Sequence, residues 1–185
     1  MIAEDYTRWQ LAHFLGFVAI LIFVAAVLGL AFLVRRRRPG AGLAAGLLGT
    51  GGLVCLAAVI ALDGFTWAIL GETYGKTGSP AIATALNDVQ TSEWSLQYYV
   101  PALGFLLSLV LLGALLARDR VVPAWSGWLL VLGGLMAGTE TMIVSNAYFV
   151  AGSAVLLAGA GSVGVFVARM SDAEFASGGG PEQQR

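Results

Sequence analysis

Leu11 to Val34 is an uninterrupted apolar run of 24 residues, and four consecutive arginines, Arg35 to Arg38, end it. As helix the run is about 36 Å long, enough to cross a hydrocarbon core of about 30 Å. Its charged stop recurs: Arg118 and Arg120 follow a later apolar run, and Arg169 follows the last. Basic residues concentrate on the cytoplasmic side of membrane proteins, so this asymmetry orients the chain. Eight of the ten basic residues fall on the side that the rule assigns to the cytoplasm, leaving only Arg8 and Lys76 outside.

Composition agrees. The chain is 58% hydrophobic and 11% charged, with a mean hydropathy of +0.82. A soluble domain is about 25% charged, so the lipid bilayer, and not water, is the expected partner of most of this surface. The acidic start, Met1-Ile-Ala-Glu-Asp5, and the length of the first run argue against a cleavable signal peptide. The predicted fold class is all-α: a polytopic transmembrane bundle of five spans, N-terminus outside and C-terminus cytoplasmic, in the cell (plasma) membrane.

The spans fall near residues 11–34, 41–62, 96–117, 124–144 and 147–168. An outer loop covers 63–95, residues 1–170 make one bundle, and 171–185 read as a disordered cytoplasmic tail. Ser79-Pro80 has the form of an N-cap followed by proline at the first helical position, predicting a short helix inside the loop. Ser145-Asn146 is the polar break of a tight outer hairpin between the last two spans. Trp9, Trp67 and Trp94 fall at the outer boundary, Trp125 and Trp128 at the inner one, as interfacial belts do. All five tyrosines lie on the outer side, the chemically furnished one.

Small residues four apart, Gly42 with Gly46, Ala45 with Gly49 and Gly134 with Gly138, predict close helix packing. A fainter echo relates Trp9-Gln-Leu11 to Trp94-Ser-Leu96 in their spacing from Arg35 and Arg120, as in a parallel repeat of two helices.

Candidate chemistry is sparse. Glu140 lies 17 residues after Pro123, about 25 Å along a helix, inside the outer leaflet. Acids at such depth usually face the bundle interior and are functional hypotheses by default; a purely packing role weighs equally here. His13 and Asp63 close their spans at similar depth, with Asn146 and Tyr148 at the last hairpin. In a compact bundle His13, Asp63, Glu140 and Asn146 converge below the outer surface, with Tyr98 and Tyr99 as a roof. A carboxylate beside a histidine is material for ligand binding or proton exchange. The plainer readings are a helix terminus at Asp63 and an interfacial side chain at His13.

Several classes are argued against. One histidine and one cysteine exclude a bis-His haem site or a multi-His zinc site in a single chain. Gly159-Ala-Gly161-Ser-Val-Gly164 spells a dinucleotide motif, but without a preceding strand and inside a span it reads as a packing face. No cofactor, metal or nucleic-acid partner is implied. The first expectation is a non-enzymatic membrane protein binding a small or lipidic ligand, or a partner subunit, through an outward cleft. A small oligomeric proton-linked transporter or channel, and a lipid-modifying membrane enzyme, are the alternatives.

Overall fold

In a computed structural model, residues 6–91, 94–139 and 145–177 are described. Among them the chain is all-α. Helix α1 is Tyr6–Arg37 and α2 is Pro39–Ala61, separated by Arg38 alone. A π-helical turn, Leu62–Trp67, carries α2 without a break into α3, Ala68–Thr77. Then come α4 (Pro80–Thr91), α5 (Trp94–Arg118), α6 (Ala124–Thr139), α7 (Asn146–Ala168) and the short α8 (Asp172–Ser177).

Three described helical runs are long and apolar enough to cross a membrane: Thr7–Arg37, Pro39–Thr77 and Val150–Ala168. Leu103–Arg118 and Ala124–Ala137 are shorter apolar helices. No more than 28% of any of the three long windows is buried inside the fold. Surfaces this apolar and this exposed need lipid as solvent, and the chain is a helical membrane protein.

Contacts divide the chain into two compact units, residues 1–25 with 51–102 and residues 26–50 with 103–185. In the first, the connection expected at 63–95 holds helix along most of its length. The 39-residue run from Pro39 is about 58 Å long, nearly twice a hydrocarbon core, so its polar end at Glu72–Thr77 must leave the apolar layer. Gly78 then ends α3 with φ of 60°, a left-handed conformation that glycine adopts without strain, and its N–H donates to the Tyr74 carbonyl at 2.7 Å. Helix α4 begins at Pro80, where the Ser79-Pro80 pair predicts it.

The second unit is held by close backbone approach. The small-residue spacing in α2 does what it predicts: a Cβ on Gly42 would meet the Arg35 backbone at 2.5 Å, and one on Gly49 the Ser108 hydroxyl at 2.5 Å. Ser108, fully buried, donates to the Ala45 carbonyl at 2.7 Å. Gly113 of α5 and Gly127 of α6 meet so closely that a Cβ on either would lie 2.6 Å from the other's carbonyl. Helices α6 and α7 pack antiparallel, Gly133 against Leu156 and Gly159 against Leu129 and Leu130. Gly161 and Gly164 face open space, so only the first glycine of the dinucleotide-like motif packs within the chain.

At the arginine end of this unit, Arg38 grips both carboxylate oxygens of Asp119 at 2.6 and 2.8 Å, and Arg37 donates to the Asp119 carbonyl. The Arg38 hydrogen bonds hold the Asp119 carboxyl below the usual carboxylate range, against an opposing push from burial. Helix α8 lies within the stretch expected to be tail. Its cause is a capping box: Ser171 Oγ and N both donate to Glu174 at 2.8 Å, and Phe175 stacks on Phe32 at 5.5 Å.

Candidate functional site

In the first unit, the opening turns of α1 meet the π turn. Trp9 and His13 are four residues apart and share one face of α1, their rings 4.4 Å apart between centroids. The widened turn at Leu62–Trp67 tilts backbone groups away from the regular ladder. The Trp9 indole N–H reaches one of them, donating to the Asp63 carbonyl at 2.9 Å. Gly64 is buried directly beneath His13: a Cβ there would collide with the His13 Cβ. A turn further along α1, a Cβ on Gly16 would lie 3.5 Å from Ile60 Cδ1, an ordinary van der Waals contact.

One backbone contact fixes the histidine's chemistry. His13 Nδ1 lies 2.8 Å from the Trp9 carbonyl, which can only accept, so Nδ1 carries a proton. Nε2 is therefore an acceptor in the neutral ring and a donor in the cation. His13 also lies within electrostatic range of the Asp63 carboxylate. Both side chains are half-buried. Leu11 and Phe14 of α1, and Leu62 and Phe65 of the π turn, are exposed apolar side chains on the same two elements. The contact between α1 and the π turn thus brings two ionisable residues, His13 and Asp63, into one neighbourhood.

Of the six residues expected at an outer site, the structure brings His13 and Asp63 together. Glu140 lies outside the described residues. Asn146 opens α7, and Tyr98 and Tyr99 lie on α5, but their side chains are also outside the described residues. Trp9 and Gly64 complete the site without having been candidates for it. Trp9 reads from sequence as an interfacial aromatic, and its spacing to His13 was the available signal. Tyr148, named as a hairpin residue, shares a 2.6 Å hydrogen bond with Thr139 across the α6–α7 end. Among the described residues no group of three or more His, Cys, Asp or Glu side chains is placed to hold a metal ion.

Residues 1–169 match the family model described as a domain of unknown function, DUF4386. The chain belongs to that family. The DUF4386 match takes in α1 to α7, and with them both the His13–Asp63 site and the Arg38–Asp119 pair, and stops before α8. No curated protein and no solved structure matches the chain.

Proposed function

We propose that this chain is a multi-pass protein of the cell membrane, with five spans and its arginine ends in the cytoplasm, that binds an amphiphilic small or lipidic ligand at the His13–Asp63 site. The observation that carries the reading is the clamp between α1 and the π turn. A π turn is rare and concentrates at functional positions. Here it carries an acid, receives an indole hydrogen bond and lies against a histidine whose Nε2 takes no part in the Trp9 carbonyl contact.

The surroundings select the ligand class. A polar head able to hydrogen-bond with His13 Nε2 or the Asp63 carboxylate fits the pair. Exposed Leu11, Phe14, Leu62 and Phe65 on the same two elements are apolar surface that lipid solvates, so a ligand reaching the pair from within the bilayer carries an apolar body. Ligand binding is favoured over catalysis because chemistry needs acid and base converging on one reacting atom, and the geometry supports a single donor–acceptor pair. A partner subunit, including a second copy of the chain, is the other occupant that an apolar surface of this kind accepts.

Native mass spectrometry of the wild type, His13→Gln and Asp63→Asn, released from detergent, tests the reading. The expected result is an extra mass of a few hundred daltons on the wild type that both variants lose while circular dichroism stays helical. A mass retained equally by all three proteins would move the ligand elsewhere. A wild type that flies only as a bare dimer would replace the ligand with a second copy. Glu140→Gln, run alongside, checks the sequence argument for an intramembrane acid independently.

A further inference from the structure

The four arginines that end α1 do not share one task. Arg38 and Arg37 turn toward Asp119, the former with a bidentate grip on its carboxylate. Arg35 and Arg36 are exposed, and among the described residues no carboxylate forms an ion pair with either. They stand three and four residues after Phe32, on one stripe of the helix. With Phe32 and Pro39, the first residue of α2, they line an open groove of about 490 Å³.

The groove is organised before any ligand arrives. Phe32 is stacked against Phe175 of α8, rings 5.5 Å apart and within 20° of parallel. The Arg36 guanidinium lies 4.6 Å above the Phe32 ring, a cation–π contact that holds its plane while leaving edge N–H groups to a further acceptor. Arg35 is fixed at its backbone, because Gly42 of α2 packs against it. Two positive forks thus flank one concavity with an aromatic floor, and forked N–H donors match the paired oxygens of a phosphate as they match those of the Asp119 carboxylate.

Depth decides which phosphate. These residues end a 31-residue helix that is otherwise apolar enough to cross a membrane. In the same unit, Trp125 and Trp128 are 59% and 56% exposed on the first turns of α6, soon after Asp119, as side chains at headgroup level are. We propose that this groove holds the phosphate of an anionic phospholipid headgroup, with Arg35 and Arg36 as the binding residues and Phe32 as the floor. Arg37 and Arg38 are the structural half of the tetrad.

The test compares phosphatidylglycerol and phosphatidylcholine of identical acyl chains, titrated into detergent-solubilised protein and read by native mass spectrometry and by thermal unfolding. Wild type should retain phosphatidylglycerol preferentially, and its midpoint should rise with that lipid and not with phosphatidylcholine. Each arginine removed should weaken the retention about five-fold, so Arg35→Gln and Arg36→Gln lower it singly and the double variant abolishes the preference. Equal retention of both lipids by the wild type would overturn the proposal whatever the variants do. So would undiminished preference in the folded double variant. Displacement of phosphatidylglycerol by millimolar inorganic phosphate would reassign the groove to a free anion and remove the lipid.

Discussion

Trp9 performs two tasks with two different groups. Its carbonyl sets the proton on His13 Nδ1, and its indole N–H satisfies the Asp63 carbonyl at the π turn. Replacing it with phenylalanine keeps an aromatic ring beside His13 and removes the indole bond along with part of the ring's packing area. Trp9→Phe should therefore cost at least about 1 kcal/mol, the usual net value of one hydrogen bond in water or bilayer. Thermal unfolding followed by circular dichroism in detergent measures this; an unchanged midpoint would mean that the bond carries no net stability. Gly64→Ala asks more of the structure. The new methyl meets the His13 Cβ, which is bonded rigidly to its helix and cannot swing aside. Overpacking of this kind costs about 1–3 kcal/mol, and relief by moving α1 would also weaken ligand retention at His13. Both readouts should fall together.

Among the helices, glycines separate into those that permit contact and those that merely occupy a turn. Gly113→Ala places a Cβ 2.6 Å from the Gly127 carbonyl, backbone against backbone, so α5 and α6 must part. The expected loss is about 2 kcal/mol or more. Gly161→Ala enters open space inside α7, where alanine's better helix propensity should leave stability unchanged or raise it by up to about 1 kcal/mol. Opposite signs in one melting series would separate packing from propensity; equal losses would refute the close approach. Much of this level is legible in sequence. Small residues four apart mark the α2 packing face, Pro123 precedes α6, and Ser145 caps α7 through the Tyr148 N–H. Helix α8 is also written locally, as Ser171-Asp-Ala-Glu174, although the glycines after it favour a tail reading. His13 and Asp63 stand out because ionisable residues are rare beside long apolar runs. Two features have no local signature. The π turn packs Gly64 against His13 from a distant part of the sequence, and the Arg38–Asp119 pair joins residues 81 apart. Periodicity reports which face of a helix is apolar, not which distant polar group answers a given charge.

For the whole molecule, the arginine end is a stability element, and the proposed topology gives it a second role. Asp119 titrates below an ordinary carboxylate because Arg38 favours its ionised form. Its contribution is therefore complete above the unfolded value of about 4 and lost as pH falls through the lower folded value. Asp119→Asn should melt below the wild type at pH 7, and the two curves should converge in acid. A gap that persists below the wild type's own titration would assign the effect to shape and not to charge. The same end must also face the cytoplasm if the arginines stopped translocation where they stand. Cys55 is the sole cysteine, so a Cys55→Ser background accepts one reporter at a time. Lys76 is exposed near the end of α3, and Arg120 is exposed in the turn between α5 and α6, where its φ of 52° suits a reporter only if the turn yields locally. With five spans and the positive residues inside, a membrane-impermeant maleimide should label Lys76→Cys in intact cells and Arg120→Cys only after permeabilisation. Labelling of both from one side would place the two polar ends of α2–α3 and α5 together, an arrangement that five alternating spans forbid.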